Sequence, residues 1–501
     1  MRATSALLAA VVLAASPVAS ADAPGTPAEQ EPAPSGERER DPDYLRTFVE
    51  MTGFVALGTL AYWIQRDKNA YDWDYESWTQ RFDLDAFRYD NNGFDVNFIY
   101  HALSGTSYYG VSRTNDLGVF GAFTSAFLAS WTWEFLLEFR EKISINDMLV
   151  TPAAGLVFGE FFYRLAQYVS SAPGGGGKKH KALRWTVGLP VAFHDWLDGE
   201  TVPEGGPVDD RGFGAGIAAR FRMAYGAGWA DPAGADGFVM HELGFDGHLA
   251  ALPGYLRPGT FGRSFTDANL TSLRFRGWLA SEGTGVDMAG DTWLLGYHRQ
   301  RIALGRGGGR GAAVTVGTSM TYRYRREDFG DAFVDRQALL GLPGLAIDGH
   351  VFAGAARMRL GARLHGQFGG VYSAAFPAWF ADHPDERPKT ILEREGYYYG
   401  WGGSGRLYGE LEVPIGAFGA MARYGMWNSR EGLDRSQEEL TADVRGRDRA
   451  LDWEAWLRLR PFDVGVFLEL ACMGQSRWSW VEGYRARQRL VTYQASVGWQ
   501  P

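Results

Sequence analysis

Cysteine is nearly absent from this chain, since Cys472 is the only one among 501 residues. A single cysteine excludes an intramolecular disulfide framework. Cys472 lies in an apolar alternating segment, so we expect it to face lipid rather than to react. The formal charge of -9 is modest for this length, and no basic stripe with interleaved aromatic residues indicates nucleic-acid binding.

The chain is also poor in overall hydrophobicity, because its mean hydropathy is slightly negative. Glycine, with 66 residues, and aromatic residues, at 14%, are nevertheless both abundant. This combination is typical of a transmembrane β-barrel, whose strands are apolar on one face only and whose crowded turns and narrow lumen favour glycine. A helical membrane protein would be far more hydrophobic.

The N-terminus predicts export. A cationic start at Met1-Arg2, an apolar core over Leu7–Ala15 and a small-x-small site at Ala19–Ala21 together form a secretory signal peptide over residues 1–21. Residues 22–42 are rich in Pro, Glu, Ala and Gly and bury too little apolar surface to fold, so we expect a disordered periplasmic lead.

Near Ala182 the sequence changes from helical spacing to short alternating segments that continue to the C-terminus. In Val314–Arg325 the even positions are mainly apolar or aromatic and the odd positions polar, which puts one set against lipid and the other in the lumen. The last segment, Leu490–Trp499, ends on an aromatic residue and resembles the C-terminal signal that the outer-membrane assembly machinery recognises. We predict an all-β membrane protein, an antiparallel barrel of about 12 strands (10–14 possible) over residues 201–501. A soluble β-sandwich is the alternative for the same alternation.

The predicted strands carry charges on their inward face. A barrel of this size is narrow, so opposite charges on different strands either pair and fill the lumen or line a conducting pore, and pairing is favoured because an isolated buried charge is costly. The charged loops 382–394 and 429–448 are expected on the extracellular side. The predicted lumen charges are Arg323, Arg325, Asp452, Glu454 and Arg458.

Residues 43–171 have helical spacing and predict an α-helical domain of about four helices, followed by a Gly/Lys hinge and linker over residues 172–200. The helices are expected to pack on each other and on the barrel from the periplasmic side, as a cap or plug. Their predicted bounds are Tyr44–Gln65, Phe94–Ser104, Leu117–Phe139 and Pro152–Val169.

Several spaced motifs in this region resemble one family of Gram-negative bacteria, domain-of-unknown-function family number 3943, whose helices precede an outer-membrane barrel. The resemblance covers roughly residues 43–200 and implies a location but no known activity. Members often carry Pro after the histidine, where this chain has Ala102. The motifs are Asn92-Gly93-Phe94-x-x-Asn97, His101-x-x-Ser104-Gly105-x-x-Tyr108-Tyr109, Ser130-x-x-Trp133-Glu134 and Ser144-Ile145-Asn146-Asp147-x-x-x-Thr151-Pro152-x-x-Gly155-x-x-x-Gly159-Glu160.

Most of these motif residues have a structural explanation. Ser144 with Asp147 fits a capping box, and Thr151-Pro152 fits an N-cap followed by proline at the first helical position. The small-residue spacing of the last motif allows two helices to approach closely. The residues assigned to structural motifs are Asn97, Ser144, Asn146, Asp147, Pro152, Gly155 and Gly159.

The same region holds the candidates for chemistry. A histidine with carboxylates from different helices can act as acid and base or bind a divalent metal, although no H-E-x-x-H or E-x-x-H spacing links these residues. Arg113 is expected to neutralise Glu134 or Glu160. The catalytic candidates are His101, Glu134, Glu138, Asp147 and Glu160, and the weaker metal candidates are His101, Glu134 and Glu138.

The sequence therefore predicts an integral outer-membrane protein with a structural or transport role in the cell envelope. One alternative is a lipid- or cell-wall-modifying hydrolase with its site in the helical domain, and another is a surface receptor or adhesin that acts through its extracellular loops. The expected partners are outer-membrane lipid and the assembly machinery. No cofactor and no nucleic-acid partner are predicted.

Overall fold

The computed structural model describes residues 41–64, 81–82, 86–138, 142–305, 308–429, 441–442, 444–461 and 464–500. The predicted signal peptide, nearly all of the predicted lead and most of the 429–448 loop lie outside the described residues. The described part consists of helices followed by a large antiparallel sheet.

Among the described residues, six α-helices precede the sheet and two short helices lie in one of its loops. No helix among the described residues combines the length and the apolar character that a membrane crossing requires. A π-helical turn, Val96–Tyr100, leads into α2, and another, Trp133–Leu137, ends α3. The helices are α1 Tyr44–Ile64, α2 His101–Thr114, α3 Val119–Thr132, α4 Ile145–Ser170, α5 Lys178–Thr186, α6 Leu189–Leu197, α7 Phe376–Asp382 and α8 Thr390–Glu395.

The start of α4 differs from the prediction. The helix begins at Ile145, and the Ser144 side chain accepts a hydrogen bond from the Asp147 backbone N–H at 3.3 Å. Pro152 is therefore inside the helix and not at its first position. The capping signal at Ser144 outweighs the Thr151-Pro152 signal because buried contacts hold the whole segment helical. Residues 178–197, predicted as linker, form α5 and α6.

Twelve strands close into a barrel, because the first strand of the sheet pairs with the last and β7 pairs with β8. The prediction of an antiparallel barrel of about twelve strands is confirmed. Two further short strands, β1 Phe87–Arg88 and β2 Ile143–Ser144, pair in the helical region. The strands of the large sheet are β3 Ala218–Pro232, β4 Phe238–Ala250, β5 Gly259–Phe265, β6 Leu270–Ala280, β7 Thr284–Gly305, β8 Gly308–Asp328, β9 Val334–Gly354, β10 Ala356–Tyr372, β11 Tyr397–Val413, β12 Gly416–Ser429, β13 Gly446–Leu459, β14 Val466–Val481 and β15 Tyr484–Trp499.

The alternation did not predict the strand β5. It pairs with the second half of β7, beyond the residues of β7 that pair with β6. It belongs to a long connection between β4 and β6 and is not one of the twelve barrel strands. Elsewhere the two ends of the barrel differ. One end, here called the turn end, carries the start of the first barrel strand and the end of the last. The other, here called the loop end, is where β10 ends at Tyr372 before the connection 373–396, and where β12 ends and β13 begins.

Contacts between strands that are not neighbours identify the inner face. Arg323 of β8 bonds to Asp452 of β13 at 2.6 Å, which is possible only across the lumen. Because side chains alternate along a strand, Tyr322 and Tyr324 must point outward. Away from its loop end, the free outward face of β12, β13, β14, β15 and β3 is apolar. The predicted outward position of Cys472 agrees with its register beside Tyr493.

The helices pack against the outside of the barrel. Phe158 of α4 meets outward Tyr322 with ring centroids 5.4 Å apart, and the Tyr322 hydroxyl donates to the Phe98 carbonyl at 2.6 Å. Phe161 lies in the same way against outward Phe245 of β4. The prediction that the helices plug the lumen is therefore wrong. The outward aromatic residues of β8 pack against the helical region, and ion pairs occupy the inward positions.

The helix α4 follows the height of the barrel wall. Its 26 residues extend for about 39 Å. Its start lies near the loop end, where Asn146 contacts Asp90 and Asp90 contacts β11, and its end lies near the turn end, where Tyr168 bonds to Asp209 before β3. The helix and its neighbours thus cover the outer wall of β4 and β6 to β11.

Glycines set the distance between α2 and α4. A Cβ atom on Gly105 would lie 1.7 Å from the Thr151 carbonyl oxygen, and one on Gly155 would lie 2.5 Å from the Gly105 carbonyl. The two backbones are therefore in direct contact, as the Gly155-x-x-x-Gly159 spacing predicted. Gly110, on the same helix, has no atom within 4 Å of its Cβ position.

We expect Gly105→Ala to destabilise the packing of α2 on α4 by about 1–3 kcal/mol or more, since neither backbone can yield. Gly110→Ala is the matched control and should stabilise the helix by up to about 1 kcal/mol. Thermal unfolding followed by helical circular dichroism measures both, with the heat-modifiable gel mobility of the barrel as the folding check. Equal melting curves for the two variants would contradict the prediction.

Candidate functional site

A polar network lies where α2 and α4 begin, near the loop end of the barrel. His101 Nε2 is 3.3 Å from Asp147 Oδ1, and His101 Nδ1 is 3.4 Å from Thr151 Oγ1. The side chain of His101 is 22% exposed and that of Asp147 is 4% exposed. The network thus presents one accessible imidazole, oriented by a buried carboxylate and a buried hydroxyl.

Asn146 holds this network together. Its amide nitrogen donates to Asp147 Oδ1 at 2.7 Å, and its amide oxygen accepts from the Asp90 backbone N–H at 2.8 Å and from Ser144 Oγ at 3.0 Å. The buried Glu134 carboxylate accepts from the Ser144 backbone N–H at 3.0 Å. The structure therefore brings His101, Asp147 and their supports together on one side, while Glu134 stabilises the turn before α4.

Asn97 has another role, because it connects the helices to the barrel wall. Its side-chain nitrogen donates to the Tyr397 hydroxyl at 3.0 Å and to the Tyr399 hydroxyl at 2.7 Å, both on the outward face of β11. The two hydroxyls in turn donate to the carbonyls of Asn92 and Asp90. A polar seam thus runs along an otherwise aromatic interface.

A second cluster lies toward the turn end and is fully paired. Glu160 accepts from Arg113 Nε at 2.9 Å, from Arg164 Nε at 2.7 Å and from the Tyr109 hydroxyl at 2.6 Å. Both arginines also reach Asp267, in the connection between β5 and β6. Of the two partners predicted for Arg113, the structure selects Glu160. This cluster connects α2 and α4 to the barrel.

The electrostatics of Asp267 follow from this pairing. Burial opposes its charged form, but the charge of Arg113 and the bonds from Arg113 and Arg164 hold the pKa of Asp267 below its usual value. The group therefore stabilises the folded state above its unfolded pKa, and this contribution is lost as the pH falls through the folded pKa.

The predicted metal set is not assembled. Within the described ranges no three His, Cys, Asp or Glu side chains are arranged to hold a metal ion, and this includes His101, Glu134 and Glu138. Of the catalytic candidates, His101 and Asp147 are in direct contact, at 3.3 Å.

The lumen is crossed by ion pairs. Arg323 lies between Asp287, at 2.7 Å, and Asp452, at 2.6 Å, and Arg276 of β6 reaches Glu454 of β13 at 2.5 Å. The other predicted lumen charges are paired as well: Arg325 with Asp287 at 2.9 Å and Arg458 with Glu469 at 2.6 Å. A cavity among them has a volume of about 40 Å³, enough for a few water molecules.

Both ends of the lumen are covered. At the loop end α7 folds inward, so that Phe376 and Trp379 are buried against inward Tyr398 and Trp427. Part of the 382–394 loop, including Leu392, is therefore core and not a free extracellular surface. At the turn end Leu252 lies against Trp293, and Gln300 bonds to the Gly254 carbonyl at 3.2 Å.

Three partners were not predicted. Asp90 and Asp267 stand in loops with no periodic pattern, and Arg164 reads as an ordinary helical residue one turn after Glu160. The (i, i+4) spacing of Glu160 and Arg164 is the one signal in the sequence that indicates this pairing. The loop partners follow only from the three-dimensional arrangement.

The helical residues of the candidate site lie in a stretch that matches a known sequence family. Residues 86–188 match the family described as Domain of unknown function (DUF3943). The resemblance seen in the motifs is thereby confirmed, over a shorter range than expected. The DUF3943 region contains the helical residues of both polar clusters and ends before the first barrel strand.

No curated protein matches the chain. Among solved structures, the COG4313 outer membrane channel from Pseudomonas putida F1 is similar at 12% identity and a TM-score of 0.25, over 58% of this chain and all of that one. The β domain of the Bordetella autotransporter BrkA follows at 10% identity and a TM-score of 0.20, over 56% of this chain and 99% of that one. With TM-scores this low, nothing about the function of the DUF3943 region follows from these resemblances.

We expect Asp267→Asn to lower the melting temperature of the helices at pH 7 and to have a smaller effect near pH 2, because acid progressively protonates the wild-type carboxylate. The neutral amide cannot offset the charges of Arg113 and Arg164. Asp236→Asn, in the exposed turn between β3 and β4, is the control. Circular dichroism melts at the two pH values measure the difference, and a loss of equal size at both would contradict it.

Proposed function

We propose that this protein is an integral outer-membrane protein whose barrel is a closed anchor and whose helical domain lies in the membrane against the barrel wall. The observation that carries the proposal is the opposite use of the two barrel faces. Ion pairs fill the inner face, and the outer face of β4 and β6 to β11 binds the helices.

The closed state is supported by the pairing of the lumen charges. Removing one partner from a buried ion pair typically costs about 3–5 kcal/mol, since a buried charge is left uncompensated. Opening a path through the lumen would break several such pairs, among them Arg323–Asp287 and Arg276–Glu454. A structural role is therefore better supported than transport.

The position of the helices is supported by their outer surface. Large apolar side chains that do not touch the barrel are exposed on α1 and α3, whereas a periplasmic domain would present polar groups there. These exposed residues continue around the helices the apolar surface that the free barrel wall presents to lipid. They include Leu45, Phe48, Leu57 and Leu60 of α1 and Phe120, Leu128 and Trp131 of α3.

A second candidate function is a lipid-modifying hydrolase. The specific observation in its favour is the His101–Asp147 pair at 3.3 Å, with a partly exposed imidazole in the matched domain. A carboxylate that orients a histidine is the arrangement of a general base. The location of the pair beside the apolar helix surface favours a lipid over a cell-wall substrate.

We expect the full-length protein to produce no conductance steps in a planar lipid bilayer, because its own side chains close the lumen. The variant lacking residues 22–177 should also be silent, which separates a closed barrel from one plugged by helices. Heat-modifiable gel mobility checks that both are folded, and a general porin in the same bilayer is the positive control. A stable conductance of the full-length protein would refute the anchor, and one confined to the truncated variant would restore the plug.

For the hydrolase, His101→Gln should reduce the turnover of outer-membrane lipid by about 10²-fold or more while the folded barrel yield is unchanged. Ser107→Ala, an exposed residue of α2, is the control. Mass spectrometry of lipid extracts from cells that carry each variant measures the product. Identical lipid profiles for wild type, H101Q and S107A would exclude this candidate.

A further inference from the structure

A basic patch whose arginines have no carboxylate partner among the described residues lies on the free outer wall of the barrel, at the loop end of three neighbouring strands. Strand register places two rows side by side: Arg447, Trp480 and Arg485 in one, and Arg449, Trp478 and Arg487 in the next. Arg489 follows on β15. We call these five arginines and two tryptophans the arginine patch.

The patch faces outward. Between the tryptophans of β14, Ser479 bonds to Asp448 within the barrel, and Arg477 pairs with Asp335 of β9 across the lumen at 2.6 Å. The alternate residues Trp478 and Trp480 therefore point away from the lumen. Their row partners on β13 and β15 share this direction, because paired residues in an antiparallel sheet lie on the same face.

The arginines of the patch differ from the lumen arginines in having no carboxylate partner. Each predicted lumen arginine pairs with Asp or Glu, whereas within the described residues no carboxylate lies within 4.0 Å of Arg447, Arg449, Arg485, Arg487 or Arg489. All but Arg449 are exposed, and the Nε of Arg449 has no hydrogen-bond partner. In the described part of the chain, these five positive charges thus lie together without a carboxylate that compensates them.

The tryptophans arrange these charges. The Arg449 guanidinium lies 5.3 Å from the ring centre of Trp480, and that of Arg487 lies 5.7 Å from the ring centre of Trp478. Cation–π contact holds each guanidinium against the wall and leaves its N–H edge free. Neighbouring strands are about 4.8 Å apart, so the strands β13 and β15 lie about 10 Å apart on either side of the β14 tryptophans.

The position of the arginine patch along the membrane normal follows from the residues beside it. Toward the turn end, the outward positions of the same strands become apolar, from Trp453 and Val491 through Cys472 and Leu470 to Trp499. The eight steps from Val491 to Trp499 rise about 27 Å along the strand, or roughly 20 Å after the usual tilt. This height is close to the apolar band of an outer-membrane barrel, so the arginine patch lies where lipid headgroups begin.

We infer that the arginine patch binds the phosphate groups of lipids in the leaflet at the loop end. The planar guanidinium donates two parallel hydrogen bonds to a phosphate, and tryptophan favours the interface between acyl chains and headgroups. The occupant is a lipid and not a soluble anion, because the patch is continuous with the lipid-facing wall. The inference is independent of the lumen and of the helices, which cover the other side of the barrel.

The test uses the full-length protein in detergent and the bis-phosphorylated glycolipid lipid A as probe, with bound lipid counted by native mass spectrometry. The triple variant Arg449→Gln, Arg485→Gln, Arg487→Gln should bind roughly 100-fold more weakly. The matched control replaces Arg299 and Arg301 by Gln, since both are exposed on β7 near the turn end, and should change affinity less than twofold. Heat-modifiable gel mobility confirms that each variant is folded.

Two further arms separate the sources of phosphate. The dephosphorylated glycolipid should bind no better than the triple variant binds lipid A, and millimolar inorganic phosphate should fail to displace lipid A. Wild-type affinity in the triple variant, or equal binding of the dephosphorylated lipid, would overturn the inference. Displacement by inorganic phosphate would overturn the lipid assignment, because the patch would then be a site for a soluble anion.

Discussion

The structure depends on the pairing of inward-facing arginines with carboxylates, because an unpaired charge would be costly in a narrow, water-poor lumen. Arg323, held between Asp287 and Asp452, joins strands that are not neighbours, so the pairs hold opposite walls together. A lumen filled in this way has no room for a helix. The helices that precede the barrel can therefore bury their apolar faces only against its outer wall, where Tyr322 meets Phe158.

The helix–barrel interface combines aromatic packing with a few satisfied polar contacts. The side-chain amide of Asn97 donates hydrogen bonds to the hydroxyls of Tyr397 and Tyr399. The Glu160 cluster is linked to the connection between β5 and β6 by the ion pair of Arg113 with Asp267. Unpaired polar groups would be costly at such an interface, so these bonds fix the position of the helices without weakening it. The partly exposed His101 is likewise positioned by buried residues of α4, Asp147 and Thr151.

Much of the fold was predictable because alternation with period two determines which face of the sheet a residue is on. It correctly put Arg323 inside and Cys472 outside. It does not determine what covers an outward residue, so Tyr322 was expected to face lipid and instead lies beneath a helix. Likewise, Arg449 and Arg487 are distant in sequence, and only strand register shows that they belong to one surface. The match of residues 86–188 was predictable from motifs, but the His101–Asp147 contact needed the structure.

The seam where the barrel closes lies on the side that the helices leave free. Trp499 pairs with Met223 there, and this pairing has the longest sequence separation in the sheet, so its closure carries the largest loop-closure entropy cost. During folding the edges of β3 and β15 can stay apart while the helices are already docked on the opposite wall. Helices docked on the opposite wall do not obstruct the pairing of β3 with β15. A half-open sheet can therefore enter the membrane with its helices attached and close last, along an edge that faces lipid.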